Sequence, residues 1–496
     1  MGLYIGISNA CYHQKQSHLD FVIQSAKDTT AFGGAAVADA IARDSGLWDD
    51  FAEAVPQLEH RRDTSRGCRP DAIIAQILTS FVTGGINVAD AGRVDEALAK
   101  LVGLPSVADQ TTLCKWFNAQ TEQSVARVWD INRKFLDWTF RQLPPDQLRD
   151  QNGKLSVFFD DSEIEVEGHH FEDAKLNYNG DIAYSFQAVW LGGRWLAAGK
   201  LDSGNIDCSS HMKELLLDSK ALWHPHAEQG LAHFYADSGS SAGKYLTFIN
   251  QYNWSWTISY NKWTTVLETQ AVAEPDTQWG AAQNGRVRGG KDVKEEFTWL
   301  RHQPGEDCLT GHDFATLRYK ALDGGDMFYR YAYVACGQAN KASAPVTKAE
   351  VARATFAIHR QKGEFENCFS NLLGDLDLHH PPFSSKAANA MWFALGALAN
   401  NLLRAMQALT MPEEEQNARL RSIIRYWVTT PAKLTVHAGR RSIKVYVPAA
   451  LKRHWAELLA KVWPKRPRGG QIRNLPPGHK DPWKMKAKAK QGKGGA

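Results

Sequence analysis

The chain has 496 residues, a hydrophobic fraction of 43% and a formal net charge of +4. This length predicts about three domains, and the mild positive charge means that affinity for nucleic acid must come from locally clustered basic residues. The seven cysteines include no Cys-x-x-Cys pair, which argues against a disulfide framework and a zinc ribbon and favours a reducing cytoplasm. We expect no secretory signal, and the longest apolar run, residues 391–403, is too short to span a bilayer.

The first part of the chain is predicted to be helical. Residues 1–62 have a mixed pattern that predicts no function. Residues 63–150 then predict a helical, DNA-binding domain, with apolar residues at helical spacing over 71–82, 89–102 and 123–143.

A Gly/Pro turn after residue 102 leads into a helix that starts with polar residues, and this arrangement is compatible with a helix-turn-helix. In that interpretation Gln110, Thr111 and Lys115 face DNA. The alternative is an ordinary hairpin of two helices, which the sequence alone favours.

Residues 155–162 form a short apolar run that contains Asp160 and Asp161 near its end. The run predicts a buried strand, because neither Gly nor Pro interrupts it. Two carboxylates at a strand end are costly unless a cation or hydrogen bonds compensate them, so a metal-binding sheet edge is one hypothesis. A strand that leaves the core into a polar turn is the other, and it is favoured for this stretch alone.

The segments that follow predict the order strand, strand, strand, helix, strand, helix, strand. These elements are predicted over 156–160, 181–191, 194–202, 209–223, 231–237, 242–250 and 254–260. This is the order of a ribonuclease H-like core, with three antiparallel strands followed by parallel strands and crossover helices. The first and fourth strands are neighbours in that fold, so Asp160 and Asp237 are expected at the same edge.

Residues 262–345 contain Gly pairs and alternating segments, and they predict a β-rich insertion that either contacts DNA or serves as a scaffold. Helix is predicted again over 347–373, where His359, Lys362 and Glu366 fall within about 60° of one another on one face. Such a charged stripe is usually a solvated face. It gains interest here because a ribonuclease H-like core expects its third acid on a late helix.

The C-terminal region is basic. A β-hairpin is predicted over 433–447, and the tail from residue 461 carries many Lys and Arg residues against the single acid Asp481. Prolines would keep the tail from packing, so we expect a flexible arm that is attracted to phosphates, with Arg466 and Arg468 among its DNA contacts. A solubilising tail is the alternative.

The predicted fold class is therefore α/β: a ribonuclease H-like mixed sheet core with a β-rich insertion, preceded by a helical N-terminal domain and followed by a basic C-terminal region. The predicted boundaries are 1–62, 63–150, 151–261 for the first part of the core, 262–345 for the insertion, 346–412 for the second part of the core, and 413–496.

Three motifs then resemble a known family. They are Phe158-Phe159-Asp160-Asp161-Ser162, Tyr235-Ala236-Asp237-Ser238-Gly239 and Gly363-Glu364-Phe365-Glu366-Asn367. With residues 89–117 and 177–180, they resemble a DDE transposase of bacterial insertion sequences, in the branch whose ribonuclease H-like core carries a β-strand insertion before the last acid.

The resemblance implies that Asp160, Asp237 and Glu366 are the catalytic residues and the metal ligands. It implies two Mg²⁺ ions, with Mn²⁺ as a substitute, and two-metal phosphodiester chemistry on double-stranded DNA at transposon ends and target. Asp161 is the reserve candidate for the first position, since adjacent strand residues point to opposite faces. The resemblance further implies a homodimer on DNA, no membrane association and a bacterial, nucleoid-associated cytoplasmic protein.

The third-acid helix departs from the related signature Tyr-x2-Arg-x3-Glu-x6-Lys, because the four positions hold His359, Lys362, Glu366 and Leu373. Lys362 keeps a charge suited to phosphate but lacks the bidentate geometry of Arg, and Leu373 offers no charge. On this helix Lys362, His359 and Arg360 are the predicted DNA contacts. The departures keep a catalytically inactive, domesticated DNA-binding relic as the main alternative, and a structure-specific nuclease as a third hypothesis.

Two pairs of neighbouring histidines, His169-His170 and His379-His380, raise the question of zinc. Their spacing differs from that of structural zinc sites and no cysteine pair accompanies them. They are therefore predicted to be loop histidines.

Overall fold

The computed structural model describes residues 27–64, 67–168, 170–260, 265–285, 291–304, 308, 311–322, 327–337, 347–437 and 440–462. The described chain has many helices and a large mixed sheet, so the predicted α/β class is confirmed. Arg466 and Arg468, predicted to contact DNA, lie outside these residues, as does His169.

The N-terminal part of the described chain is mainly helical. Its elements are β1 (Thr29–Thr30), α1 (Ala35–Asp44), α2 (Leu47–Leu58), α3 (Pro70–Val82), α4 (Val88–Ala91), α5 (Glu96–Val102), α6 (Gln110–Asn118) and α7 (Glu122–Gln142). The single helix predicted over 89–102 is wrong, because the side chain of Asp95 accepts a hydrogen bond from the amide of Leu98 and so caps a second helix. Asp109 caps α6 in the same way through the amide of Thr112.

The central segment supplies most of the sheet strands. Its elements are β2 (Leu155–Glu165), β3 (Lys175–Leu176), β4 (Ile182–Leu191), β5 (Trp195–Ser203), α8 (Met212–Asp218), α9 (Lys220–Glu228), β6 (Ala232–Ala236), α10 (Gly243–Ile249) and β7 (Ser255–Tyr260). The helix predicted over 209–223 is in fact two helices, α8 and α9, which meet at Ser219. Gly192 and Gly193 both have positive φ, as a tight hairpin turn between β4 and β5 requires.

Strand β2 lies between an antiparallel and a parallel neighbour. It pairs antiparallel with β4 from Val157 to Glu165 and parallel with β6, in a register that joins Phe158 to Tyr235. The expectation that this strand ends at its two acids is wrong, because the ladder to β4 keeps the backbone extended as far as Glu165. The first and fourth strands are neighbours, as predicted.

The sheet continues beyond β7 into the next segment of the chain. That segment contains α11 (Thr265–Ala273), β8 (Gln283–Asn284), β9 (Val293–His302), β10 (His312–Ala321) and β11 (Arg330–Gly337). Strand β11 pairs antiparallel with β7, so that Val334 faces Ser259 across the ladder. One ten-stranded sheet results, with the path β3-β4-β2-β6-β7-β11-β10-β9-β8 and with β5 on β4.

The last part of the described chain returns to helix. Its elements are α12 (Lys348–Arg360), α13 (Glu366–Phe369), α14 (Lys386–Thr410), α15 (Leu420–Ile423), β12 (Ala432–His437), β13 (Arg440–Val445) and α16 (Lys452–Val462). The single helix predicted over 347–373 is wrong: after α12 the chain forms a 3-10 turn, Gln361–Glu364, then α13, then a π-helical turn, Ser370–Asp375. Gly363 lies in the 3-10 turn, and glycine is a weak helix former. The predicted hairpin is present as β12 and β13.

Helix α14 is the centre of the core, which explains its long apolar sequence. Its buried Asn401 donates a hydrogen bond to the side chain of Asn132 on α7 at 2.8 Å and accepts one from the amide of Leu196 on β5 at 3.0 Å. These bonds satisfy polar groups that would otherwise be costly to bury and fix α7 and α14 on the sheet. Among the described helices, none combines the length and apolar character needed to cross a bilayer.

Candidate active site

The register between β2 and β6 brings Asp160 and Asp237 to the same place on the sheet. Phe158 lies opposite Tyr235 in this parallel pair, and each aspartate follows its aromatic residue by two positions. Side chains alternate along a strand, so the two aspartates share the face that carries the two aromatic rings. Two residues predicted to form one site are therefore neighbours in the structure.

The electrostatics of Asp160 reflect this crowding. Burial raises the pKa of its carboxyl to about 7, nearby Lys362 opposes that rise, and the charges of Asp237 and Asp161 add to it. A carboxyl group that is driven toward its neutral form by burial and by like charge is typical of a functional site.

Lys362 is the cation that faces this pair. Its ammonium forms an ion pair with the carboxylate of Asp237 and lies 5.7 Å from the ring centre of Phe158. The Lys362 side chain is only 16% exposed, whereas that of Asp237 is 52% exposed and open to ligands from solvent. The lysine predicted to bind phosphate thus lies directly beside the second acid.

The segment from α12 to α13 crosses the strands at this edge. His359 is buried and its Nε2 lies 2.8 Å from Oγ of Ser259 on β7, while Lys362 reaches the acid that follows β6. Phe365 packs against Phe158 of β2 and Tyr235 of β6, with ring centres 5.1 and 5.3 Å apart. The segment therefore steps from β7 over β6 to β2.

Glu366 begins α13 immediately after Phe365. Because Phe365 lies on the aromatic floor below the two aspartates, the backbone of Glu366 is held close to the same edge. The structure therefore brings the chain positions of all three predicted acids to one region. The position of the Glu366 carboxylate stays a prediction.

Asp161 lies on the opposite face of β2. It is paired across the ladder with Gln187, whose side chain donates a hydrogen bond to the carbonyl of Asp207 beside α8. Burial raises the pKa of Asp161 to about 6, and the charge of Glu163 adds to the rise. Asp161 and Asp160 thus point to opposite faces of β2 although each feels the charge of Asp237, and Asp160 is the one on the face where Phe365 packs.

The remaining predicted DNA contacts divide into two groups. Gln110, Thr111 and Lys115 are exposed on α6 and are free to meet a partner from solvent. His359 is buried, with a pKa lowered to about 4 by that burial and by Lys362, and Arg360 donates to Glu295 on β9 at 2.7 Å. In this structure His359 and Arg360 make internal contacts.

Two residues that support the site were not predicted from the sequence. Ser259 forms a hydrogen bond with the buried His359. Phe365 forms the aromatic floor together with Phe158 of β2 and Tyr235 of β6. Phe365 lies inside a motif that marks the third acid, so its position next to Glu366 was an available clue. Ser259 has no such clue, since its role depends on a contact 100 residues away.

Comparison with known proteins gives the family. Residues 22–466 match the family described as Transposase DDE domain group 1, and the chain belongs to it. Its structure is similar to that of the piggyBac transposase in a cryo-EM synaptic complex with hairpin DNA, at 12% identity, 88% coverage of each chain and a TM-score of 0.40. No curated protein matches the sequence.

Proposed function

We propose that this protein is a DNA transposase that cuts at the terminal inverted repeats of an insertion sequence and joins the freed 3′ ends to target DNA. Membership of the DDE transposase family supports chemistry of this class. The observation that carries the proposal is the matched position of Asp160 and Asp237 on neighbouring parallel strands, with Lys362 paired to the second.

The strand arrangement supports a ribonuclease H-like core. The order β5-β4-β2-β6-β7 combines antiparallel pairing of the first three strands with parallel pairing of β2, β6 and β7. In this proposal the segment after α12 supplies the third acid. Strands β8 to β11 are then the insertion that precedes that acid.

The donor set fits hard divalent cations. Asp160, Asp237 and Glu366 would hold two Mg²⁺ ions, since carboxylate oxygens are the ligands that Mg²⁺ prefers. Two such ions, when bound, stabilise the entering and leaving oxygens of an in-line displacement at a phosphodiester. Burial raises the pKa of Asp160 to about 7, and the positive charge of a bound cation would favour its ionised form.

The protein side chains perform the rest of the work in this proposal. Asp160 gives up its proton near neutral pH and then serves as a ligand. Lys362, which pairs with Asp237, would be available for a phosphate oxygen if a cation took its place on that carboxylate. The packed rings of Phe158, Tyr235 and Phe365 keep water from the side of the carboxylates that faces the sheet. Water that reaches the carboxylates from solvent is the first nucleophile on the phosphodiester, and the freed 3′ hydroxyl is the second.

The proposed partner is double-stranded DNA, both at the transposon ends and at the target. The exposed residues of α6, Gln110, Thr111 and Lys115, are candidates for contact with the ends. A homodimer is proposed because two ends must be brought together before they are joined.

The test uses purified full-length protein, DNA that carries the short inverted repeats expected beside the gene, and Mg²⁺. Asp160→Asn, Asp237→Asn and Glu366→Gln should each lower cleavage by more than about 100-fold, the upper range for losing even an outer-shell partner of a metal. DNA binding in a mobility-shift assay should survive.

Asp161→Asn and Glu364→Gln are the matched controls, since each makes the same chemical change one or two residues away. Both should cleave at the rate of the unaltered protein. Cleavage by all three variants of the proposed ligands would remove the assignment.

One observation favours a second candidate function. Leu373, at the position where the signature has lysine, is half-buried and packs against the core. If the unaltered protein binds the ends but cuts nothing with Mg²⁺ or Mn²⁺, it is a catalytically inactive, domesticated DNA-binding relic. Cleavage without any strand-transfer product would instead indicate a nuclease.

A further inference from the structure

A second group of metal-ligating side chains lies in the loop between the π-helical turn and α14. One ligand atom from each of Asp377, His379 and His380 lies within 4.8 Å of the others. Oδ1 of Asp377 is 3.1 Å from Nδ1 of His380 and 3.6 Å from Nε2 of His379. One carboxylate oxygen thus faces nitrogens from two different imidazole rings.

These distances suit a metal ion with short bonds. A tetrahedral ion with ligand bonds of about 2.0–2.1 Å keeps neighbouring ligand atoms about 3.3 Å apart. The two measured separations, 3.1 and 3.6 Å, bracket that value. The third separation, between the ligand nitrogens of the two histidines, is no more than 4.8 Å, and the His380 side chain can adjust its position because it is 70% exposed.

The surroundings of His379 are those of a ligand histidine. Its Nδ1 lies 2.6 Å from the carbonyl oxygen of Leu373, which can only accept a hydrogen bond, so Nδ1 carries the hydrogen and Nε2 is the nitrogen that faces Asp377. A metal-bound imidazole usually donates its second N–H to a carbonyl or carboxylate in this manner. The contact also ties the loop to the π-helical turn that follows α13.

The backbone of the loop holds the group in place. Asp377 has a φ of +58°, a left-handed conformation that Asp tolerates better than most residues, and Leu378 between the ligands is fully buried. The two histidines line an open cleft of about 780 Å³, which His170 also lines. The cleft gives a bound ion access to water for its remaining coordination position.

We propose that Asp377, His379 and His380 form a binding site for a late first-row transition metal ion, best matched by Zn²⁺. Two imidazoles and one carboxylate favour such an ion over Mg²⁺, which prefers oxygen ligands alone. The spacing of the histidines in the sequence argues against a standard zinc motif, and the site becomes visible only when Asp377 is placed beside them. The proposal is independent of the proposed transposase chemistry.

The experiment uses full-length, tag-free protein stripped of metal, with Zn²⁺ measured by titration calorimetry and Co²⁺ by its visible absorption. We expect one strong Zn²⁺ site and the intense absorption of four-coordinate Co²⁺. His379→Ala and Asp377→Asn should each weaken Zn²⁺ binding at least tenfold and abolish the absorption. Asn at position 377 keeps the left-handed turn, so this variant tests the ligand and leaves the fold intact.

Two controls separate the site from other sources of binding. His224→Ala removes a histidine that pairs with Glu228 on α9 and should leave Zn²⁺ binding unchanged. The double variant Asp160→Asn with Asp237→Asn should also keep it. The proposal is overturned if the unaltered protein binds no Zn²⁺, if the His379 and Asp377 variants bind it as well as the unaltered protein does, or if binding is lost with Asp160 and Asp237.

Discussion

The ammonium of Lys362 offsets part of the negative charge at the acidic edge of the sheet. It pairs with Asp237 and works against the burial that raises the pKa of Asp160. One positive charge faces two carboxylates here, so the edge keeps negative charge that a further cation can neutralise. In the proposed function, a divalent ion would compete with Lys362 for the carboxylate of Asp237.

The raised pKa of Asp160 predicts that the stability of the folded protein depends on pH. Its pKa is about 7 in the folded protein and 3.8 in the unfolded chain, so the folded state holds an extra proton between these values. Stability therefore falls as pH rises through that window, and the cost is complete above about pH 7. Asp160→Asn removes this cost. Its free energy of unfolding, relative to that of the unaltered protein, should therefore rise by about 2–3 kcal/mol as the pH is raised from 5 to 8.

Urea unfolding with a chelator present measures this difference at pH 5, 6, 7 and 8. The control is Asp181→Asn, which alters an exposed aspartate just before β4 and should give a difference that does not change with pH. A flat difference for Asp160→Asn as well would contradict the buried, proton-holding state of this carboxyl.

At the scale of elements, the site depends on how one segment crosses three strands. His359, Lys362 and Phe365 contact β7, the acid after β6, and the aromatic residues of β2 and β6 in turn. These residues are spaced three apart, close to one helical turn, so each step along the segment meets a neighbouring strand. The position of Glu366 follows from this crossing.

Phe365 provides a test of the crossing. It is 6% exposed and packs on two aromatic rings, so Phe365→Ala should cost about 3 kcal/mol and loosen the backbone of Glu366. We expect Mg²⁺-dependent cleavage to fall even at temperatures where the variant remains folded by circular dichroism. Phe365→Leu keeps most of the side-chain volume and should recover most of both properties. An alanine variant that is folded and fully active would show that this contact does not position the third acid.

The same elements show what the sequence could and could not predict. The apolar run around Phe158 and the acid at Asp237 are local patterns, and both strands and their adjacency followed from them. The continuation of β2 to Glu165 did not, because it depends on a ladder to β4 that is fixed by tertiary pairing. The breaks in the helix after α12 accompany long-range contacts, of Phe365 with Phe158 on β2 and of Cys368 with Gly193 in the turn between β4 and β5, which periodicity within the helix does not encode.

At the scale of the whole molecule, the sheet joins parts that the sequence treats as separate. The ladder between β7 and β11 makes the strands of residues 283–337 continuous with the strands that carry the two aspartates. Arg360 adds a side-chain link from the end of α12 to Glu295 on β9. Both connections join residues far apart in the chain, so composition and spacing predicted β-structure there but not its attachment.

The last prediction concerns the basic residues that follow the described part of the chain and their effect on DNA binding. Residues 464–496 carry ten Lys and Arg residues against one Asp, and the predicted contacts Arg466 and Arg468 are among them. Each phosphate contact adds about 0.9 to the slope of log affinity against log salt concentration. Truncation after Trp463 removes these two predicted contacts and should therefore lower the slope by at least about 1.8.

Fluorescence anisotropy with labelled end DNA over a series of salt concentrations measures this slope for the full chain and the truncated one. A third protein, in which a Gly/Ser sequence of equal length replaces residues 464–496, separates charge from length. If the charge of the tail sets the salt dependence of DNA binding, the Gly/Ser replacement should have the same slope as the truncated protein, because flexible neutral residues release no counterions from DNA. An unchanged slope after truncation would leave the tail with a solubilising role, and the DNA contacts would then have to come from α6 and from the residues around Lys362.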